Sequence, residues 1–338
     1  MMKTIYISNA DSGDISVLSL ASADAHLVPV QTLTVGCTVM PLAVSPCRGY
    51  LYAARRSAPM AVCSFAIDPH TGKLAYLAES PLPASMAYIS TDRSGRFLFS
   101  ASYQGDVITV SAIDADGVAQ PVQQQIATGP HAHCIVPALS NRHVFATSLG
   151  GGVVMQYCFD PESGRLSDNQ PGTVAIRPGA GPRHFRLHPG GKHAYLLNEL
   201  DATIDVFALD ADQGTLHPLQ TIASLPPGFG GEPWAADMQI TPDGRFLYSS
   251  ERRSSTLAGF AIDPATGRLE PIGHFPTEEQ PRGFAIDPDG RNLIAVGQLS
   301  HHLSHYAIDQ QTGALMALER LEVGQNPNWV EIITLPAT

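Results

Sequence analysis

GPRHFRLHPGGKHAYLLNEL, residues 181–200, holds two short apolar runs on either side of a Pro-Gly turn, with charge near both outer ends. Two strands joined by such a turn bring those ends, Arg183 and Glu199, back to each other. The layout recurs. LAVSPCRGYLYAARR (42–56), ISTDRSGRFLFSASY (89–103), IVPALSNRHVFATSL (135–149), FRLHPGGKHAYLLNE (185–199), MQITPDGRFLYSSER (238–252) and FAIDPDGRNLIAVGQ (284–298) follow one plan. The hydrophobe after the turn gives anchors at Leu51, Leu98, Val144, Ala194, Leu247 and Leu293, and one step back lies Ile5. The seven are spaced by 46, 47, 46, 50, 53 and 46 residues.

A second marker keeps the same phase. FAIDPHTGKL, SAIDADG, YCFDPESGRL, FALDADQGTL, FAIDPATGRL and YAIDQQTGAL place Asp68, Asp114, Asp160, Asp210, Asp263 and Asp309 at spacings of 46, 46, 50, 53 and 46. In Asp-Pro-x-x-Gly the aspartate supplies a side-chain acceptor for the loop backbone, so these are turn residues. Each unit therefore contains two hairpins, or four short strands. Seven such units predict an all-β, seven-bladed β-propeller with four antiparallel strands per blade. The chain opens on a second strand (Thr4–Ser8) and ends on a first strand (Trp329–Thr334), so N- and C-terminal strands should close the ring within one blade. Residues 1–338 then form a single domain.

Composition agrees and excludes several functions. Of 338 residues 44% are hydrophobic, and 30 Gly with 27 Pro interrupt the chain too often for long helices. The net charge of −11 opposes a nucleic-acid or anionic-membrane surface. No apolar run reaches membrane-helix length and the N-terminus lacks a signal-peptide core, which predicts a cytoplasmic protein. Five cysteines, Cys37, Cys47, Cys63, Cys134 and Cys158, show no CxxC spacing, so neither a disulfide framework nor a zinc site is expected and most should sit in the core. GxSxG, P-loop and HExxH motifs are missing, which argues against serine or cysteine nucleophiles.

Register points to a site. The first strand of each blade lines the central channel. Eleven residues before each anchor stand Met40, Ala87, His133, Arg183, Ala236 and Arg282, and five after stand Arg56, Tyr103, Leu149, Glu199, Arg252 and Gln298. The two sets are equidistant from the turn, which predicts cross-strand neighbours about 5 Å apart at Cβ, Arg183 facing Glu199 and Arg282 facing Gln298. One mouth should then gather Arg183, Arg282, Arg56, His133, His131, Glu199, Gln298 and Tyr103, a cationic pocket on an acidic protein. Arg183 with Glu199 alone would be a rim ion pair worth little; the company it keeps gives it weight. His131 and His133, two apart on a strand, would share one face and offer half a metal site, but no third ligand stands in phase, so no metal is expected. His301 and His302 read as surface or structural residues, Trp234 and Trp329 as packing, Arg55 and Arg253 as solvated surface.

The stretches GPRHFRLHP, YLLNEL, EPWAADMQITPDGRFLY, EEQPRGFAIDPDGR, GQLSHHLSHY and GQNPNW resemble the seven-bladed lactonase family, most closely its bacterial cycloisomerase-2-type 6-phosphogluconolactonases. The resemblance implies hydrolysis of 6-phospho-D-glucono-1,5-lactone to 6-phosphogluconate in the pentose phosphate pathway, with no metal or other cofactor. It also implies that His133, Arg183, Glu199 and Arg282 act at the channel mouth. Tyr88 departs from the pattern, standing where relatives commonly carry His. On this reading Arg183 polarises the carbonyl, Arg282 and Arg56 grip the phosphate, and Glu199 and His133 act together on the water. The expected partner is a small phosphorylated sugar lactone, bound by a monomer or weak homodimer without nucleic acid or membrane. A cycloisomerase lyase acting on a carboxymuconate is the alternative enzyme; a protein-interaction propeller is the alternative outside enzymology.

Overall fold

The computed structural model describes residues 2–20, 26–36 and 38–335. Among these lie twenty-eight strands, numbered here β1–β28 in chain order, and no helix. They form seven four-stranded antiparallel sheets. Each blade follows directly from its sequence unit, and the closing blade is assembled as the termini predict: β28 (Pro327–Thr334) pairs with β1 (Lys3–Asn9), followed outward by β2 (Asp14–Leu20) and β3 (Leu27–Thr34).

The innermost strands of the other blades are β4 (Val39–Val44), β8 (Tyr88–Thr91), β12 (Ala132–Pro137), β16 (Pro182–Leu187), β20 (Ala235–Ile240) and β24 (Pro281–Ile286). They touch in ring order, with β28 against both β24 and β4. All seven anchor hydrophobes are wholly buried. Second strands are buried along their length, whereas outermost strands such as β11 (Ala119–Ala127) alternate between covered and exposed, as a sheet with one wet face should. The repeat aspartates accept backbone N–H groups two or three residues on, as at Asp68, Asp210 and Asp309.

Cysteine placement is mixed. Cys63 and Cys134 are buried, but Cys47, in the turn between β4 and β5 (Tyr50–Arg55), is exposed, and Cys158, paired on both sides within its blade, is half-buried; Cys37 lies outside the described residues. No helix among the described residues is long and apolar enough to cross a membrane.

Candidate active site

One deviation from strand geometry builds the mouth. In β12, β16 and β24 the ladder skips a residue: Ala132 pairs Ser148 and Cys134 pairs Thr147, Pro182 pairs Asn198 and His184 pairs Leu197, Pro281 pairs Gly297 and Gly283 pairs Val296. The skipped residues are His133, Arg183 and Arg282. They are bulge residues rather than ladder partners. A bulge leaves its extra residue unpaired and re-aims its side chain, a device common beside active sites.

Arg183 and Glu199 nevertheless meet as expected. Arg183 Nε donates to Glu199 Oε2 at 2.6 Å, Nη1 donates to the Ala236 carbonyl, and Arg183 is 1% exposed. Glu199 has two further donors. Arg252 Nη2 lies 3.3 Å from Oε2, and the Trp234 indole N–H donates to Oε1 at 3.1 Å. Burial alone would raise the Glu199 carboxyl, but Arg183 and Arg252 outweigh it and hold it below the ordinary glutamate value.

Arg252 is the residue sequence reasoning left out. Its guanidinium stacks 3.8 Å over the Trp234 ring and donates to the carbonyls of Trp234 and Ala235; burial and nearby Arg183 bring its pKa down to about 9. Its repeat phase, shared with Glu199 and Arg56, was the available signal. Trp234 is thus more than packing, and Arg253 also lies over it at 5.0 Å. Arg55, expected on the solvated surface, grips Glu79 through both Nη atoms at 2.7 and 2.9 Å, because β7 (Leu74–Pro81) brings that carboxylate alongside.

Arg282 does not face Gln298. The bulge turns it toward Arg183, Arg252, Arg56 and Glu199, while Gln298 bonds Gln280 and Asn326 at the rim. Arg282 has no hydrogen-bonding or ion-pair partner among the described residues; burial and the three neighbouring guanidiniums lower its pKa strongly. Arg56 donates to Ser85 Oγ at 2.8 Å and to Met40 Sδ, with no carboxylate in contact. Four guanidiniums therefore gather where Glu199 is the carboxylate in contact, held by Arg183 and Arg252, with Glu251 acting on Arg252 from further off.

The histidines separate. His131 precedes β12 with φ of 62° and stacks on Tyr103 at 4.2 Å, so strand alternation does not set its direction. His133 is 3% exposed, edge-on to Tyr103 at 6.0 Å; burial and the charges of Arg183, His184, Arg282 and Arg252 push it well below the usual histidine range. No three His, Cys, Asp or Glu among the described residues group as a metal site would require. Tyr103 itself faces Glu199, Arg183 and Arg252. His301 and His302 serve backbone groups of the 300–326 loops.

Below the mouth the channel is closed by His184, Tyr88 and Trp329, whose rings lie 5.2 to 6.0 Å apart. Tyr88 bonds Arg186, which explains its place in the second blade without a role at the mouth. Beyond this plug opens a cavity of about 290 Å³ lined by Arg93, Arg186 and Glu331 among others.

The family model described as "Lactonase, 7-bladed beta-propeller" matches residues 4–332. The chain belongs to the seven-bladed lactonase family. Similar lactonase relatives include proteins named 6-phosphogluconolactonase from Pectobacterium carotovorum, 42% identical over 99% of this chain and 100% of the relative, and from Serratia proteamaculans, 41% identical over 98% and 99%. Among solved structures, a periplasmic gluconolactonase from Pseudomonas aeruginosa superimposes with a TM-score of 0.92 at 29% identity, covering 99% of this chain and 100% of that one. A putative 6-phosphogluconolactonase from Bacteroides uniformis gives 0.89 at 27% identity, over 98% and 99%.

Proposed function

We propose that this lactonase-family chain hydrolyses 6-phospho-D-glucono-1,5-lactone to 6-phosphogluconate, the activity named for its full-length relatives and a step of the pentose phosphate pathway. The observation that carries the reading is the charge imbalance at the mouth: Arg56, Arg183, Arg252 and Arg282 stand against Glu199, the carboxylate in contact, and Glu251, which acts on Arg252 from behind Trp234. A half-buried cation with no carboxylate against it is costly, and a dianionic phosphate supplies the missing charge through forked N–H donors. Arg282 and Arg56, the pair with no carboxylate in contact among the described residues, are suited to it.

Hydrolysis adds water across the ring ester. The water oxygen attacks the carbonyl carbon, the carbonyl oxygen becomes an oxyanion near Arg183, the ring C–O bond breaks, and the water's proton ends on the ring oxygen as the new hydroxyl. His133 is the better base. It is neutral and has no acidic partner, whereas Glu199 already accepts from Arg183, Arg252 and Trp234. Glu199 instead fixes the two arginines and the indole.

The test is acid release from freshly prepared phosphorylated lactone, from glucono-1,5-lactone and from a carboxymuconate lactone. Turnover far above spontaneous hydrolysis, preferring the phosphorylated lactone, is expected. Preference for the muconate, or no acceleration of any substrate, overturns the assignment.

A further inference from the structure

Asp237, on β20, is buried and accepts five hydrogen bonds or close N–H contacts. Oδ1 takes His184 Nδ1 at 2.7 Å and the Met238 amide at 2.7 Å; Oδ2 takes the Phe284 amide and the Gln239 side chain, each at 3.3 Å; Arg186 Nη2 lies at 3.7 Å. A carboxylate so surrounded stays ionised and is an acceptor only. His184 Nδ1 must therefore carry a hydrogen, and its Nε2 carries a lone pair. That Nε2 is buried with no hydrogen-bond partner among the described residues, and so is Nδ1 of His133. The two rings stand 5.3 Å apart, tilted by 58°, close enough for a small ring rotation to join them directly.

We propose that Asp237 and His184 form a buried relay that fixes the tautomer of His133, so that His133 donates Nδ1–H inward and offers Nε2 to the mouth as the base. An unpaired buried nitrogen is costly, and two orphans on neighbouring rings are both relieved by a single N–H donor between them. His184 Nε2 can only accept, so the donor is His133 Nδ1–H. In the reaction the water's proton moves to His133 Nε2; the resulting imidazolium keeps Nδ1–H on His184, then passes the Nε2 proton to the departing ring oxygen. Asp237 stays ionised throughout.

The relay answers an electrostatic difficulty. Arg183, Arg252 and Arg282 all face His133, with Tyr103 edge-on and His184 beneath, and three guanidiniums oppose an imidazolium. Asp237 is the counter-charge, reached through His184, which itself faces Arg183, Arg186, Tyr88 and Trp329. Asp237 and His184 are thus positioning residues. Sequence reasoning missed them because regular alternation sends neighbours to opposite faces; the bulge at Arg183 lets His184 face the channel too.

The proposal rests on His133 being the base, and its test keeps the two apart. Nitrogen-15 spectra of histidine-labelled protein near neutral pH should show His133 and His184 protonated on Nδ1. Asp237→Asn keeps its amide oxygen on His184 Nδ1 and the Met238 amide, so both tautomers persist while the counter-charge is lost; His184→Phe removes the acceptor that fixes the His133 tautomer. In both variants kcat should fall at least ~100-fold with KM within about threefold, and in His184→Phe alone the His133 ring shifts should move toward a mixture of tautomers. A wild-type His133 protonated on Nε2, or a folded Asp237→Asn enzyme with unchanged kcat, overturns the relay. The wild-type spectrum decides even where the variant does not fold. His133→Ala with undiminished kcat would instead remove the base assignment, whatever the tautomers.

Discussion

Arg282 and Arg183 sit at the same position of their blades and are set for different work. Arg183 spends its Nε on Glu199 and its Nη1 on the Ala236 carbonyl, whereas Arg282 has no such partner and is disfavoured as a cation by burial and three like charges. Arg282→Ala should therefore raise KM for the phosphorylated lactone by roughly 10- to 100-fold, the loss of one or two charge-assisted bonds, and spare the unphosphorylated lactone. The same substitution should raise the thermal midpoint, since a binding site held open with unpaired charge costs stability. Equal KM effects on both lactones in steady-state kinetics would remove Arg282 from the phosphate. Glu199 behaves oppositely. Glu199→Gln leaves Arg183 and Arg252 without their shared carboxylate, so calorimetry should show a loss of about 3 kcal/mol or more alongside a lower kcat; a native midpoint would mean the arginines repartner.

At the scale of the strand, the repeat made the blades legible. Anchors and turn aspartates recur because every blade buries the same hydrophobe and closes the same loop, and both demands are local. The Arg183–Glu199 contact was legible for the same reason, being symmetric about its turn. What the period could not reveal is the bulge. One extra residue at His133, Arg183 and Arg282 leaves spacing intact but changes direction, so Arg282 leaves Gln298 for the arginine cluster and His184 enters the channel. Arg252 was in phase but its blade carries Ala236 opposite, with no charge to advertise it. Close approach of the inner strands sets a further limit. A Cβ on Gly283, the residue after Arg282, would lie 2.4 Å from the Asn328 carbonyl of β28. Gly283→Ala must push β24 from the closing strand, costing ~1–3 kcal/mol, and the displaced Arg282 should raise KM with it. Wild-type denaturation midpoint and KM together would show that the ring absorbs the methyl without moving.

The whole ring is a device for bringing seven inner strands to one axis, and the buried titratable groups there give its stability opposing pH responses. His133 lies well below the usual histidine range and His184 is brought to about 3, chiefly by burial and then by Arg183. The unfolded chain binds their protons near pH ~6.5 while the folded one does not, so their contribution is lost as pH falls below that value. Glu331, in the cavity beyond the plug, works the other way. Burial raises it to about 7, against the Trp329 indole N–H at 2.9 Å and the charge of Arg186, with Asp237 adding to the rise. A carboxyl raised in the folded state contributes stability that is full below its unfolded value near ~4.3 and lost as pH climbs through about 7. Glu331→Gln removes that loss, since a neutral amide still accepts the indole N–H and pays no ionisation cost. The variant should melt higher than the parent at about pH 8, by on the order of 2 °C once the channel's access to water is allowed for, and the difference should shrink toward zero by about pH 5. Thermal melts across that range check it: a constant offset would make the effect one of packing, and a lower midpoint at high pH would mean the ionised carboxylate is held by Arg186 after all.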